Sequence, residues 1–148
     1  MGIGDAYVIK QPFVLTSVDH DFDNMHADGI LGLGFKLLSD GYPVFVESLK
    51  TQGEISEAIF SVYMSDDDYQ ANIPTHPESN IIIGGYDLEK YAKGKNFTFV
   101  DVIDHQGYWG VELTKIKSGT SALTTAEYKQ NAIIDTGTSL MVGPARET

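Results

Sequence analysis

Short apolar segments, rich in β-branched and aromatic residues, recur along the chain and are separated by glycine or acidic turns. Segments with this composition form strands, which need partners in a sheet. Strands are therefore expected within residues 6–18, 58–64, 80–85, 97–103, 108–116 and the apolar start of 132–144. Residues 117–131 are expected to form a loop. The fold class predicted from this pattern is mostly β, with a helix or two.

The main helix is predicted over residues 43–52. Pro43 suits a first helical turn, and Phe45, Val46 and Leu49 form an apolar stripe that Gly53 can terminate. One further helical turn is expected at residues 87–91. The segments 58–64 and 80–85 predict a hairpin with a long acidic tip.

Composition excludes several classes of function. The formal charge of −11 removes the basic surface that binding to a nucleic acid requires, so no nucleic-acid partner is expected. The sequence has no cysteine, and its four histidines lack the H-E-x-x-H spacing, so no metal site is predicted. No complete phosphate-binding or dinucleotide-binding motif is present, and no cofactor is expected. An apolar run of membrane-spanning length and a signal-peptide pattern are also missing from these 148 residues.

The segment "IIDTGTSL", which ends at Leu140, carries the strongest chemical signal. Two β-branched residues are expected to bury a strand, and Asp135 follows at its end. Gly137 allows the backbone amide to approach that carboxylate, and Thr138 offers a hydroxyl donor to it. Thr136 can direct its own hydroxyl to a neighbouring backbone. Taken alone, the motif is also compatible with an ordinary capped turn.

The order of five segments points to one family. The segments "DGILGLGF", "IFSVYMS", "IIIGGYD", "GYWGVEL" and "IIDTGTSLMVGP" cover most of residues 27–144. In order and spacing they resemble the pepsin and cathepsin D family of aspartic proteases. The resemblance implies a fold of two β-rich lobes around a cleft. It also implies hydrolysis of peptide bonds by two aspartates, one from each lobe, that share a proton and activate a water.

The resemblance also implies a role for each matching residue. Asp135 matches the catalytic aspartate of the second lobe. Gly137 and Thr138 would border the cleft and contact the substrate backbone, while Thr136 would join a hydroxyl brace between the lobes.

Two residues outside this motif also match the family, and a third departs from it. Ile30 matches a residue that lines the first-lobe pocket, and Tyr108 one that faces the primed side of the cleft. Ala27 stands where a larger apolar residue is frequent, which would widen the pocket.

The sequence contains one D-T-G motif, whereas the family uses two aspartates. The chain is therefore expected to be the middle part of a protease. Residues 1–87 would complete the first lobe and contribute central-sheet strands, and residues 88–148 would begin the second lobe. The other aspartate would come from a first-lobe segment outside these residues, and the isolated chain is expected to be inactive.

The family resemblance implies polypeptide substrates and a place in the secretory pathway, in lysosomes or vacuoles, or outside the cell. Asn96 begins an N-glycosylation sequon, which such a route would expose to modification. Two alternatives remain open. One is a non-catalytic, aspartic-protease-like binding or inhibitory protein. The other is a retroviral-type protease, which the order of the segments disfavours because such chains place D-T-G early.

Overall fold

The structure is a computed structural model that describes residues 1–17, 27–65, 77–103, 106–123 and 130–143. Short strands predominate over helices in these residues, which confirms the mostly β fold class. The strands are β1 (Gly2–Ile3), β2 (Ala6–Tyr7), β3 (Phe60–Tyr63), β4 (Asn80–Ile83), β5 (Gly110–Leu113), β6 (Lys117–Ser118), β7 (Ser121–Ala122) and β8 (Gln130–Ile133). The helices are a 3-10 helix (Lys36–Ser39), α1 (Phe45–Thr51) and α2 (Leu88–Ala92).

The described strands pair antiparallel in four two-stranded sheets. Three of the sheets are local hairpins, β1–β2, β3–β4 and β6–β7. The fourth joins strands that are distant in sequence, with Gly110 of β5 opposite Ile133 of β8. This pairing brings residues 108–113 beside the approach to the D-T-G motif.

Residue contacts divide the chain into two compact units. The first unit comprises Met1–Leu33 and Tyr42–Phe97, and the second comprises Gly34–Gly41 and Thr98–Thr148. The division of the whole protein into lobes at residue 87 stays a prediction.

Helix α1 forms the centre of the first unit. Phe45 and Leu49 lie one helical turn apart and pack with Val8, which is 1% exposed. Glu47 in the first turn and Lys50 in the last complement the helix dipole. A helix is confirmed within the predicted residues 43–52, but Pro43 precedes its N-cap Val44 and is not in its first turn.

The side chain at the C-cap of α1 fixes the segment that follows β2. The amide of Gln52, which caps the C-terminus of α1, pairs with the backbone of Ile9. Its Oε1 accepts from the Ile9 N–H over 2.8 Å, and its Nε2 donates to the Ile9 carbonyl over 3.0 Å. Gln52 thus supplies both hydrogen bonds that a neighbouring strand would offer at this position.

The first unit also contains the hairpin β3–β4 and helix α2. Strands β3 and β4 pair in register, which confirms the predicted hairpin, while its acidic tip lies outside the described residues. At Gly84, φ is +81°, and an added Cβ would lie 2.7 Å from Cγ2 of Ile55, so the turn after β4 requires glycine. Asp87 caps α2 by accepting from the Lys90 N–H over 2.9 Å. The helical turn predicted at residues 87–91 is confirmed.

Three predicted segments differ from the structure. Residues 8–17 and 97–103 contain no described strand, although their composition favours one. Strand propensity produces a strand only where a partner offers its edge, and neither segment joins a described sheet. The predicted loop at residues 117–131 contains the hairpin β6–β7, whose tight turn has Gly119 at φ +59°. It also contains the first two residues of β8, which begins at Gln130.

Within the described part of the chain, every helix is too short or too polar to cross a membrane.

Candidate active site

Asp135 lies just beyond the end of β8 in the second unit. The strand ends at Ile133, and the Ile134 N–H then donates to the Trp109 carbonyl over 3.0 Å, which continues the pairing with the β5 side by one residue. Asp135 follows immediately and is exposed. The strand therefore holds the backbone on one side of the carboxylate, while the carboxylate itself faces solvent.

Each oxygen of the Asp135 carboxylate accepts one hydrogen bond from the turn. The Gly137 N–H donates to Oδ1 over 2.9 Å, and the Thr138 hydroxyl donates to Oδ2 over 2.5 Å. Two donors on one carboxylate restrict its rotation and compensate its negative charge. The sequence-based expectation that Gly137 and Thr138 contact this carboxylate is met by the geometry.

These hydrogen bonds lower the pKa of Asp135 below its ordinary value. The Thr138 hydroxyl has the larger effect, the Gly137 amide adds to it, and slight desolvation opposes both. The carboxylate is thus favoured in its ionised form, which can accept a proton from water. One carboxylate cannot serve as acid and base in the same step, so a reaction that needs both roles requires a second group.

A side chain at position 137 would crowd the Asp135 carboxylate. A Cβ at this position would lie 3.2 Å from Oδ1 of Asp135, tighter than ordinary van der Waals contact. A side chain here would push against the carboxylate that the backbone amide binds.

The other predicted site residues lie in different segments of the chain. Thr136 is exposed in the turn between Asp135 and Gly137. Tyr108 is 40% exposed and precedes β5, and continuing the observed register by two positions places it opposite Asp135. Ile30 is 74% exposed and belongs to the first unit, whereas Asp135 belongs to the second. Asn96 is exposed just after α2.

Residues that support the site were missed by the sequence reasoning. The Phe35 and Trp109 rings pack with centroids 4.3 Å apart, and the Phe35 N–H donates to the Gly107 carbonyl over 2.9 Å. All three residues belong to the second unit. Phe35 and Trp109 each lie in a segment that carries the family resemblance, but the order of segments along the chain does not indicate that their side chains meet.

The described residues contain no group of three or more histidine, cysteine, aspartate or glutamate side chains that could hold a metal ion. The four histidines lie outside the described residues. A cleft of about 120 Å³ lies between the β3–β4 hairpin and α2 in the first unit. None of the predicted site residues lines it.

The family model and the known proteins that match this chain agree with the D-T-G motif. Residues 1–148 match the family model described as eukaryotic aspartyl protease. Cathepsin E of Oryctolagus cuniculus is 39% identical over 126 residues, covering 84% of this chain and 29% of that protein. Cathepsin D of Clupea harengus is 34% identical over 148 residues, covering 98% and 35%. Pregnancy-associated glycoprotein 4 of Ovis aries is 30% identical over 145 residues, covering 97% and 35%.

The chain therefore spans about a third of the length of these relatives. The match includes the D-T-G motif and the segments that precede it, over the whole of the chain. The chain belongs to the eukaryotic aspartyl protease family.

Proposed function

We propose that the protein containing this chain is an aspartic endopeptidase and that Asp135 supplies one of its two catalytic carboxylates. The observation that carries this proposal is the carboxylate at the end of β8, held by the Gly137 amide and the Thr138 hydroxyl. Family membership supports the reaction class, and the geometry supports the choice of residue.

The second carboxylate comes from an aspartate outside these 148 residues, since the sequence has a single D-T-G motif. The two carboxylates share one proton, because two adjacent negative charges repel each other. One carboxylate removes a proton from water as the water oxygen attacks the peptide carbonyl carbon. The other donates its proton to the carbonyl oxygen. The carboxyl that took a proton from water then gives it to the peptide nitrogen as the carbon–nitrogen bond breaks. The other carboxylate takes a proton from a hydroxyl of the tetrahedral intermediate, which restores the shared proton.

The neighbours of Asp135 have separate roles in this proposal. Gly137 and Thr138 border the cleft and contact the substrate backbone, and Thr136 contributes to a hydroxyl brace between the lobes. Tyr108 contacts substrate on the primed side, which its register position opposite Asp135 supports. Ile30 lines the first-lobe pocket, and its exposed side chain is available for contact.

The lobe boundary and cellular location belong to the same proposal. Residues 1–87 complete the first lobe and contribute to the central sheet, and residues 88–148 begin the second. The substrates are polypeptides, and the protein follows the secretory pathway to lysosomes, vacuoles or the extracellular space. Asn96, exposed and within a sequon, is then a glycosylation site.

The test is Asp135→Asn in the protein that contains this chain. Proteolysis at acid pH, inhibited by a statine-type transition-state mimic, should be abolished because the amide cannot accept the proton. Asp101→Asn makes the same chemical change at an exposed carboxylate of the second unit and should retain activity. Full activity of Asp135→Asn would refute the proposal.

The 148-residue chain alone should not cleave peptides at any pH, because it supplies only one of the two carboxylates that the mechanism requires. Inhibitor-sensitive cleavage by the purified chain would contradict this. The alternative is a non-catalytic binding protein of the same family. An upstream motif lacking its aspartate, together with peptide binding without turnover, would favour that alternative.

A further inference from the structure

The segment Gly34–Gly41 packs within the second unit, although residues 42–97 separate it in sequence from the rest of that unit. The Phe35 ring lies against the Trp109 ring, with the ring planes inclined by 43°. The backbone of Phe35 is also bound, since its N–H donates to the Gly107 carbonyl over 2.9 Å. Phe35 thus contacts the turn before β5 through both its ring and its backbone.

The segment Gly34–Gly41 approaches the turn before β5 so closely that position 107 must be glycine. An added Cβ there would lie 3.0 Å from Cγ of Leu38 and 3.1 Å from Cβ of Leu37, and φ is +101°. Gly34 is similarly close, since its Cβ would lie 3.2 Å from the Gly107 carbonyl oxygen. Neither segment can shift far without creating a clash or losing these contacts.

The same turn holds the last residue before the candidate catalytic aspartate. The Trp109 carbonyl accepts from the Ile134 N–H over 3.0 Å, and Asp135 is the next residue. Ladder pairing between β5 and β8 ends at Ile133. The position of the Trp109 carbonyl therefore helps to fix where the D-T-G turn begins.

We propose that Phe35 is a positioning residue for Asp135. Its ring holds Trp109, whose carbonyl holds Ile134, so the backbone adjoining the carboxylate is fixed from a segment about one hundred residues earlier. Phe35 does not act on substrate in this proposal. Its catalytic consequence rests on the proposed function, in which Asp135 is a catalytic carboxylate.

The experiment compares Phe35→Leu with Phe35→Tyr in the protein that contains this chain. Leucine removes the aromatic face that Trp109 contacts, whereas tyrosine retains it. Phe97→Leu is the matched control, because it removes a ring from a different aromatic pair, with Tyr86 in the first unit. Circular dichroism and thermal melting establish that each variant is folded, and Phe35→Met replaces Phe35→Leu if leucine prevents folding.

Two readouts distinguish positioning from general stability. The first is kcat for peptide cleavage, which should fall about 10- to 100-fold in Phe35→Leu with KM nearly unchanged, as expected for a misplaced reacting group. The second is the pKa of Asp135 from a carbon-13 NMR titration, with the resonance assigned by Asp135→Asn. It should rise in Phe35→Leu relative to the unmodified protein, because the Gly137 and Thr138 hydrogen bonds to the ionised carboxylate loosen. Phe35→Tyr and Phe97→Leu should resemble the unmodified protein in both measurements.

An unchanged Asp135 pKa in folded Phe35→Leu or Phe35→Met would overturn the positioning role, even if activity fell. Equal effects of Phe35→Leu and Phe97→Leu would also overturn it. The titration does not depend on turnover. If Asp135→Asn retains activity while Phe35→Leu shifts the pKa, the proposed function fails and the positioning role stands.

Discussion

The hydroxyl of Thr138 donates to Oδ2 of Asp135 over 2.5 Å, and this bond is the largest cause of the lowered pKa of that carboxyl. The two residues are three positions apart in one turn, so the interaction is local and follows from the D-T-G-T sequence. The bond stabilises the ionised carboxylate relative to its protonated form. A threonine hydroxyl thereby influences the charge state of the residue proposed as one of the two catalytic carboxylates.

Thr138→Ala should raise the pKa of Asp135, because the carboxylate loses its stronger donor. Carbon-13 NMR titration of the Asp135 carboxyl measures the change. Thr138→Ser keeps a hydroxyl and should leave the pKa near its original value. Identical titration curves for the alanine variant and the unmodified protein would show that the hydroxyl does not control this charge.

The same bond affects the pH dependence of stability. Since the pKa of Asp135 is lower in the folded state, its ionised form favours folding above the ordinary aspartate pKa of about 4. This contribution is lost as pH falls through the lowered pKa. In Thr138→Ala, the drop in unfolding free energy between pH 6 and pH 2 should therefore be smaller, as measured by urea unfolding. A larger drop would contradict the assigned sign.

Gly137→Ala should disturb the site without a general loss of stability. Its Cβ would lie 3.2 Å from Oδ1 of Asp135, so the carboxylate must move or lose its bond to the amide. Proteolytic kcat in the whole protein should fall by about tenfold or more. Gly143→Ala is the matched control, because nothing lies within 4 Å of the Cβ it would add. Equal activities of the two variants would refute the close-approach argument.

Leu49→Ala should destabilise the protein strongly. Leu49 is 0% exposed and packs with Val8 and Phe45, so alanine leaves a cavity that costs about 2–5 kcal/mol of unfolding free energy. Leu15→Ala makes the same change at a side chain that is 83% exposed and should cost far less. Denaturant unfolding compares the two variants. A similar loss in both would place the core of the first unit elsewhere.

Gln52→Ala should release the segment after β2 from helix α1. Two hydrogen bonds between Gln52 and the Ile9 backbone disappear, which at an exposed site costs about 1 kcal/mol in total. Hydrogen exchange at the Ile9 amide should increase at the same time. Lys50→Ala removes an exposed ion pair with Glu57 and should change unfolding free energy by less. Unchanged exchange at Ile9 in Gln52→Ala would contradict the anchoring role.

The isolated 148-residue chain should self-associate. Exposed apolar side chains occur together in two described segments, residues 13–15 and 140–142, and such surfaces favour contact between copies. Sedimentation velocity should show species larger than a monomer, increasing with protein concentration. Substituting serine for Leu140, Met141 and Val142 together should reduce association. A monomer at all concentrations would contradict the expectation.

Local features of the fold were predictable because their causes are local. Helix α1 follows from the apolar stripe of Phe45 and Leu49 and from Gly53 beyond its end. The contacts of Gly137 and Thr138 with Asp135 follow from residues within one turn. In contrast, the strand predicted at 97–103 is wrong because apolar, β-branched composition cannot specify a partner edge. At Ile9 the partner is the side chain of Gln52, forty-three residues away, which no strand pattern indicates.

The sequence by itself determined the family, the mostly β class and the candidate aspartate, since these depend on motifs whose residues are adjacent or recur in a fixed order. Tertiary structure alone decided which distant residues support that aspartate. Phe35 meets Trp109, and the Trp109 carbonyl binds Ile134, because antiparallel pairing of β5 with β8 and the close approach at Gly107 bring three separate segments together. Such contacts depend on how distant segments pack in space, and the spacing of motifs along the chain does not show which segments meet.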